Sequence, residues 1–585
     1  MPTARIPLVG SFSQRGLDGD AALVLNEDQR FLNTVFDVVT NPVTGKSTVY
    51  ANKRPGLGVD SIPASGSAST GFIKPQSMSS AISAFGETNS TVYYGTSSIG
   101  AITGRALHFT ETLISAVGCV AIKSSDGTGW YYMDGAKDDL TYVGDTHIGT
   151  AVIDSLDNTT GVYPGQAWSG TGITAGTRVL TVDSATQVTL NANSTADGTD
   201  ITFTKTPIAK ILDAQFVSTG TYISAFAAMD GYLFYADDSG YVNNSDLNSV
   251  SAYTANARIA SQGSPDPTVA VAIQKNIVVA FGTASNDKFQ NAGFSSGSPL
   301  QVIKSQTDHI GAIDQRSITT IEDDIYYVSS PSEGDVGVYR MRGLQSTRVS
   351  RPVEDRILGN AATNGAIYAS SYRLGGYPYA CFFISLASDG PASMFLLESG
   401  DFLLLESGDK LLLEDTAGQT ASFVRLLRYN ITLNIWDEWD CNQMTFVDSY
   451  GTGTSNMILA ASRVNTSGKI YKIDPNSDGQ LYQDDGVAFS MEIRTGKLFD
   501  GPQRKFVNKV MLIGWDSRNT TMPYLSYSDD DFQTYSTPRQ FVLVGGVPTL
   551  FRCGSHREGR SYKITDSANA PFRAEALAID YAEAA

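Results

Sequence analysis

The chain has 585 residues, 42% hydrophobic and 17% charged, so it can bury large cores while Ser, Thr, Asn and Gly supply much of its polar surface. With 42 Lys and Arg against 60 Asp and Glu, the formal net charge is −18. This balance argues against a protein that grips DNA or binds an anionic membrane, because both need a cationic face. Four Cys, no secretory signal and no membrane-spanning run predict free thiols, cytosolic synthesis and no membrane anchor.

Short segments rich in β-branched and aromatic residues dominate the chain, each bounded by Gly, Asp, Asn or Ser. They include Thr91–Tyr94, Gly231–Ala236, Asn276–Phe281, Asp324–Val328, Ala366–Ser370 and Lys509–Ile513. The best helical candidate is a short one, Gln29–Val39. Strands at intervals of ~8–12 residues are typical of sandwiches, barrels and propellers, and a propeller best accommodates so much strand. We therefore predict an all-β protein with a β-propeller body, whose number of blades stays open.

Two stretches look inserted into this body. Residues 150–204 are rich in Thr, Gly and Ala and alternate in Arg178–Val182, which predicts a small independent β domain. Residues 393–417 repeat a Leu-rich octad with Ser-Gly-Asp turns, which predicts a β-hairpin or meander available for subunit contact. The predicted domains are 1–149 (first part of the propeller, with an N-terminal arm), 150–204 (inserted β domain), 205–392 (middle part), 393–417 (octad insertion) and 418–585 (closing part).

Motifs for catalysis and metal binding are weak. Gly293–Gly297 fits G-x-S-x-G, but a nucleophile elbow needs a helix after it and none is predicted. Gly170–Ala175 fits G-x-G-x-x-A, but a strand follows where a dinucleotide site needs a helix N-terminus. The pair Cys553 and His556 has no second half that would complete a zinc site. We therefore predict no enzyme activity, no catalytic or metal-binding residues and no cofactor.

One acidic turn carries a more specific pattern. Ser528, Asp530, Thr534 and Tyr535 match the Asp-box S-x-D-x-G-x-T-W, with Phe532 in place of the glycine. In this motif the carboxylate and hydroxyls bond the backbone of a hairpin, so we predict a structural turn.

Two alternative functions remain open. Asp-boxes also occur in sialidases, so a carbohydrate-binding or sialidase-like propeller is one alternative. It would need paired carboxylates in one cleft. Many sialidases also carry an arginine cluster, for which the sequence offers Arg340, Arg342, Arg348 and Arg351. A fibre-type adhesin is the other alternative, because small β modules such as 150–204 often bind partners or sugars.

A further set of segments carries a resemblance to a known family. In chain order they are Pro7–Gly10, Asp28–Asn33, Lys53–Leu57, Asp230–Phe234, Asn244–Asn248, Ser264–Asp266, Phe281–Gly282, Phe289–Gly293, Gly337–Arg340 with Gly343, Arg348–Ser350, Asn434–Trp439 and the Asp-box-like turn. Together they resemble the packaged-DNA stabilisation proteins, which are the tail nozzle or hub proteins of short-tailed phages (podoviruses). Asn286–Asp287 departs from the Thr-Glu pair expected there, and the Asp-box glycine is absent.

The resemblance implies a structural protein of the virion tail, made in the host cytoplasm. It implies a β-propeller subunit in a homohexameric ring below the portal and head-to-tail adaptor proteins. The ring would extend the DNA channel, retain packaged DNA until ejection, carry tail fibres or spikes and meet a tail needle or plug. Double-stranded DNA would pass through the lumen without sequence-specific binding. The composition fits this role, since six copies carry six times −18, or −108, formal charges and phosphates would not be trapped on Lys or Arg.

Overall fold

The fold was analysed in a computed structural model that describes most of residues 3–583. The residues left out are 10–28, 41, 43–44, 46, 62–68, 74, 79–84, 96, 219–223, 262, 264–265, 295, 304–307, 331–335, 387–423, 441–445, 453–454, 462–469, 474–481, 498–503, 516–521, 531 and 558. The predicted octad insertion, 393–417, therefore lies outside the described residues.

Seven antiparallel four-stranded sheets, here blades 1 to 7, form the body of the described chain. Blade 1 consists of Ser69–Ile73, Phe85–Thr88, Thr91–Tyr94 and Ser97–Ala101, and blade 2 consists of Ala106–Ile114, Val117–Ser124, Gly129–Met133 and the end of Gly198–Lys210. Blade 3 consists of Ala227–Met229, Tyr232–Ala236, Tyr241–Asn244 and Arg258–Ala260. Blade 4 consists of Thr268–Gln274, Ile277–Gly282, Asn286–Asn291 and Leu300–Val302. Blade 5 consists of Ile318–Ile321, Asp324–Ser329, Gly337–Arg342 and Gln345–Arg348. Blade 6 consists of Gly365–Leu374, Tyr377–Leu386, Val424–Asn430 and Ile435–Asp440. Blade 7 consists of Phe446–Thr452, Ser455–Ala461, Ile470–Ile473 and Gly58–Ser61.

The seven blades close into a ring. The first strand of each blade contacts the first strand of the next, and the first strand of blade 7 contacts that of blade 1. Blade 7 takes its fourth strand, Gly58–Ser61, from near the start of the chain, and this strand pairs antiparallel with Ile470–Ile473. The described chain thus forms a seven-bladed β-propeller, which confirms the predicted all-β fold with a propeller body.

Hydrophobic clusters fill the space between successive blades. Phe234 of blade 3 packs in one cluster with Val278 and Phe289 of blade 4. The rings of Phe281 in blade 4 and Tyr327 in blade 5 lie 4.9 Å apart between their centroids. All six segments predicted as strands lie within strands of the structure, apart from the first residue of two segments. Their β-branched and aromatic residues are buried or half-buried, as residues on packed sheets usually are.

The insertion in blade 2 forms a small β domain with its own core. Its strands are Thr141–Thr146, Val152–Asp154, Gln166–Ser169, Val179–Ser184, Gln187–Leu190 and the first part of Gly198–Lys210. Trp168 stacks between Tyr142 and Phe203, with ring centroids 5.5 and 5.6 Å away. This confirms a small inserted β domain. Thr141–Thr146, which precedes the predicted range 150–204, belongs to its core.

Both ends of the chain form a further unit, here called the terminal domain. One sheet orders Thr3–Pro7, Ala576–Glu583, Lys505–Ile513, Val547–Phe551 and Val542–Val544, with Ser555–His556 also on Lys505–Ile513. Others comprise Thr34–Thr40, Ser47–Lys53 and Arg573–Ala574, and the pair Gln483–Asp484 and Val487–Ala488. The sheet of blade 6 continues outward through Arg30–Leu32, Met491–Arg494, Ser561–Asp566, Tyr524–Ser528 and Arg539–Gln540.

The core of the terminal domain joins residues from both chain ends, such as Ile6, Phe36, Ile493 and Ile579. The predicted closing part, 418–585, therefore holds blade strands up to Ile473 and terminal-domain strands from Gln483 onward. The predicted first part, 1–149, likewise holds terminal-domain strands before the propeller begins.

The helix prediction for Gln29–Val39 is wrong. Strands Arg30–Leu32 and Thr34–Thr40 occupy this segment, and Asn33 between them has φ 54, outside helical geometry. Phe31 and Phe36 are both buried in the terminal-domain core, so tertiary packing overrides the weak helical pattern.

Helices are few among the described residues. Pro352–Asn364 and the short Ala214–Ser218 are α-helical, and Gln315–Ser317 is a 3₁₀ turn. Pro352 suits a first helical position, and the Arg351 N–H donates to the Glu354 carboxylate at 3.1 Å. None of the helices in the described ranges is long and apolar enough to cross a membrane.

Because the inserted domain has its own core, we expect the isolated fragment 139–207 to fold. Trp168, the only Trp in the fragment, should emit at short wavelength and shift to long wavelength in one cooperative denaturant transition. Trp168→Ala should lower the unfolding free energy by about 3–5 kcal/mol, since it opens a cavity between Tyr142 and Phe203. An exposed Trp168 in the native fragment would contradict an autonomous core.

Candidate functional site

The ring of blades encloses a central channel of about 700 Å³. First strands supply most of its wall, for example His108–Glu111 of blade 2, Val271–Ile273 of blade 4 and Tyr368–Ser371 of blade 6. The channel therefore lies along the axis of the propeller and is lined by both apolar and charged side chains.

Polar contacts between blades close this wall. The Thr110 hydroxyl of blade 2 donates to the Phe226 carbonyl at 2.6 Å, next to blade 3. The Val271 N–H of blade 4 donates to the Gln315 side chain at 2.8 Å, next to blade 5. The Ser371 hydroxyl of blade 6 donates to the Thr320 carbonyl of blade 5 at 3.1 Å. The groups facing the axis thus bind neighbouring blades to each other.

The charged groups of the channel wall are engaged within the protein. Burial opposes ionisation of Asp314, but hydrogen bonds and charge from Arg316 bring the pKa of this carboxyl below its usual value. The guanidinium of Arg316 also lies 5.4 Å from the ring centroid of Tyr368. Glu111 accepts a hydrogen bond from the backbone of Ser77. These contacts support a structural role for the wall.

The channel wall carries two carboxylates, and the channel has room for small molecules rather than for a DNA duplex. Glycosidases need two carboxyl groups facing one bond. The wall carboxylates Glu111 and Asp323 lie on blades 2 and 5, and Asp323 stands 4.0 Å from Lys275. A DNA duplex, whose grooves alone are ~12 Å wide and ~8.5 Å deep, does not fit into a cavity of this volume.

A second cluster joins the propeller to the terminal domain through buried arginines. Arg428, on the third strand of blade 6, lies 3.6 Å from the ring centroid of Trp439 and donates to the Asp437 carboxylate at 2.7 Å. Arg428 and Asp437 are fully buried. Arg428 and the indole N–H of Trp439 both donate to the Thr34 carbonyl, at 2.9 and 3.0 Å. The propeller side chains thus bind the backbone of the terminal domain.

Arg54 completes this cluster from the other side of the junction. It donates to the carboxylate of Asp484 at 2.8 Å and to the Asn33 side chain at 2.9 Å. Its guanidinium carbon lies 3.8 Å from the ring centroid of Phe489 and 5.1 Å from that of Trp439. We call Arg54, Arg428, Trp439, Asp437 and Asp484 the junction cluster.

Burial sets the electrostatics of the junction cluster. Desolvation raises the pKa of Asp437 to about 7, although the positive charge and hydrogen bonds of Arg428 oppose this rise. Burial alone would lower the pKa of Arg428, but Asp437 and two neighbouring tyrosines raise it above its usual value. A buried guanidinium without its carboxylate would be strongly destabilising, so the pair fixes the position of Thr34 against blade 6.

The Asp-box-like residues meet in one turn of the terminal domain, after strand Tyr524–Ser528. Asp530 accepts from the Ser528 hydroxyl at 2.7 Å and from the Thr534 N–H at 3.0 Å, and also from the Thr534 hydroxyl. Phe532 has φ 67, the left-handed conformation that the glycine of the motif would favour. Tyr535 lies apart from these bonds, with the Lys563 ammonium 4.2 Å from its ring centroid.

The other sequence motifs do not form catalytic sites among the described residues. Gly293 and Gly297 lie in the connection before strand Leu300–Val302, where a nucleophile elbow would need a helix. Three of the four arginines named for an acidic sugar form ion pairs with separate carboxylates. Arg342 pairs with Asp324, Arg348 with Asp355 and Arg351 with Glu354.

Sequence reasoning missed the channel wall and the junction cluster as functional elements. Arg54 and Trp439 lie in two segments that carry the family resemblance, Lys53–Leu57 and Asn434–Trp439. The sequence did not reveal that these two segments are close in space, because about 380 residues separate them along the chain.

Residues 165–371 match a family model described as Bacteriophage P22 Gp10, beta-propeller. This range, 207 of 585 residues, runs from the inserted domain to the first strand of blade 6. The match confirms the resemblance for this part of the chain. No curated protein matches the chain.

Similar solved structures are remote. They include an exo-β-1,3-galactanase from Phanerochaete chrysosporium (8% identity, 82% of this chain and 97% of that chain, TM-score 0.20) and the Bacteroides ovatus Xyloglucan PUL GH43B (8%, 62% and 97%, TM-score 0.22). TolB from Acinetobacter baumannii is also similar (11% identity, 42% of this chain and 60% of that chain, TM-score 0.16). Likenesses at these scores carry no functional argument.

We expect Asp437→Asn to lower the unfolding free energy by about 3–5 kcal/mol, because Arg428 then stays buried without its counter-charge. Denaturant unfolding followed by Trp fluorescence measures this loss. Glu322→Gln, in the exposed pair with Arg373, is the matched control and should cost about 1 kcal/mol or less. Equal losses in both variants would contradict a special role for the buried pair.

The Asp-box-like turn should make the carboxyl of Asp530 unusually acidic. Hydrogen bonds from the Thr534 hydroxyl and N–H, and from Ser528, lower the pKa of Asp530 to about 2 from the usual 3.8. The stabilisation of the turn is therefore present above about pH 4 and disappears as the pH falls toward 2. Thr534→Val should raise the pKa of Asp530, as measured by carboxyl NMR titration, whereas an unchanged pKa would show that the hydroxyl contributes little.

Proposed function

We propose, from the match of residues 165–371 to a phage β-propeller family, that this chain is a structural virion protein. Within that class we propose a tail nozzle or hub subunit of a short-tailed phage. Copies would form a ring of six below the portal and adaptor proteins. The family match is the observation that carries this proposal, and the closed seven-bladed ring is consistent with it.

The DNA path in this proposal lies between subunits. The channel within one propeller is too small for a duplex, so a ring of copies must provide the lumen. The net charge of −18 per chain favours a wall that phosphates do not adhere to. Packaged DNA would then be retained by closure of the ring, by loops or by a plug, and released at ejection.

We propose the remaining partners from the parts of the chain that are exposed for contact. The inserted domain has its own core and projects from one blade, which suits contact with a tail fibre or spike. We place the protein in the virion tail, after synthesis in the host cytoplasm, and propose neither cofactor nor membrane anchor.

The proposal excludes catalysis as the main role. Three of the four arginines expected for an acidic sugar, Arg342, Arg348 and Arg351, are paired with separate carboxylates. We expect no turnover of a broad glycoside panel, including sialosides, by the purified chain. Hydrolysis that is lost in Glu111→Gln but kept in the surface control Glu322→Gln would reverse this assignment.

Electron microscopy of virions tests the location. We expect an affinity tag placed after Ala185, in an exposed turn of the inserted domain, to be labelled at the tail below the adaptor, around a six-fold ring. The same tag on an unrelated capsid protein is the control. Labelling confined to peripheral fibres would instead support the adhesin.

A further inference from the structure

One end of the central channel gathers basic side chains. His108 and Arg316 both line the cavity of about 700 Å³, and Tyr368 lines it as well. His108 lies near the start of the first strand of blade 2, Tyr368 near the start of that of blade 6, and Arg316 just before that of blade 5. Because each of these blades begins with its innermost strand, the three side chains lie toward the same end of the axis.

The second strand of blade 2 adds a lysine to this end. Lys123 pairs directly with His108 in the strand register, and residues directly opposite each other share a face of the sheet. Lys123 is only 7% exposed. Burial lowers the pKa of its ammonium group to about 8, so a positive charge is costly at this position.

A carboxylate faces these groups from the segment that precedes blade 5. Arg316 donates to Asp314 through Nε at 2.8 Å and also through Nη2, which holds its guanidinium in place. The charge of Asp314 raises the pKa of Lys123, and the charge of His108 lowers the pKa of Asp314. Blades 2 and 5 are not neighbours in the ring, so these interactions run across the channel.

The charges of this group do not cancel. Lys123, Arg316 and a protonated His108 carry three positive charges, against one negative charge on Asp314. A negative charge within a few ångströms favours the charged form of a buried lysine. A bound anion would supply that charge, and its attraction to the basic groups would be stronger in an enclosed channel than in open water.

The carboxylates of the channel wall lie toward the other end. Asp323 follows the first strand of blade 5 and Lys275 follows that of blade 4, so this exposed pair, 4.0 Å apart, marks the opposite end. Glu111 comes after His108 on the way to that end, and it accepts a hydrogen bond from the backbone of Ser77. The described wall is therefore polarised along the axis.

We propose that the basic end of the channel binds a small oxyanion between His108 and Arg316, with Lys123 behind it. The shared chemistry is a group of negatively charged oxygens, which either a phosphate or a small polycarboxylate supplies. Arginine, lysine and histidine donate the charge-assisted hydrogen bonds that such oxygens accept. The volume of the cavity lies within the range of small-molecule sites, ~300–1,000 Å³. This site is independent of the proposed function and would remain if the protein were absent from the tail.

Isothermal titration calorimetry of the full chain tests the site. The probes are inorganic phosphate and citrate, and glucose is the uncharged control. We expect saturable binding of an anion that weakens as NaCl is added, since salt screens the attraction, and no binding of glucose. The anion that binds more tightly identifies which of the two sources the site prefers.

Variants locate the anion within the channel. His108→Gln and Arg316→Gln should each weaken binding about tenfold, because each removes a charge-assisted hydrogen bond. Lys275→Gln removes a cation from the opposite end of the same cavity. It is the matched control and should bind the anion as the wild type does.

Histidine NMR gives a second measurement. The chain has four His, so the resonance that is missing in His108→Gln identifies His108 in the wild type. We expect this resonance to shift when the anion is added, while that of His147, in the inserted domain, stays in place.

Thermal unfolding checks that the variants fold, and the anion should raise the midpoint of the wild type. If Arg316→Gln does not fold, His108→Gln decides, because His108 is only half-buried. Absence of saturable binding of both anions, or equal affinity in the wild type and His108→Gln, would overturn the inference. A loss confined to Lys275→Gln would place the anion at the other end and overturn it as well.

Discussion

The contact of two buried guanidinium groups with Trp439 holds the propeller and the terminal domain together. Arg428 comes from blade 6 and Arg54 from the segment that leads into the closing strand of blade 7. Of their carboxylate partners, Asp437 lies on blade 6 and Asp484 lies in the terminal domain. Since each charge is costly to bury alone, the cluster is stable only when all its members are in place. It therefore fixes the orientation of the terminal domain by electrostatics as well as by apolar packing.

This constraint also explains how one sheet serves two units. The outer strand of blade 6 pairs in parallel with Arg30–Leu32, at Leu32 and Glu438, and the sheet continues into the terminal domain. On the outer strand of blade 6, the Glu438 carboxylate accepts two hydrogen bonds from the Arg30 guanidinium, at 2.6 and 2.7 Å. An outer blade edge that would otherwise be open is thus covered, as edge strands require.

The sequence predicted the strands and the propeller body because these depend on local alternation and on turn residues. Segments such as Thr91–Tyr94 and Asp324–Val328 carry both signals. It failed where distant residues decide the structure. Gln29–Val39 has a weak helical pattern, yet Phe31 and Phe36 are recruited into a core formed largely by the C-terminal strands. Blade number was equally hidden, because the blades share geometry without sharing a repeated sequence.

The candidate sites divide in the same way. The hydrogen bonds of Asp530 join residues within four positions of it, so a short pattern could specify them. The junction cluster joins Arg54 to Asp484 and Trp439, and no local pattern reports such distances along the chain. The exposed edge strand Val542–Val544 was missed for a related reason. A run such as Val542–Val544 has the same composition as a buried strand, and only the structure reveals that it is an edge.

The fourth strand of blade 7 has a consequence for biosynthesis. Gly58–Ser61 leaves the ribosome early, but its partner Ile470–Ile473 follows about 400 residues later. At ~5–20 residues per second of translation, the early strand waits roughly 20–80 s before it can pair. During this interval its backbone groups bond only to water and stay open to wrong partners, so blade 7 can close only near the end of synthesis.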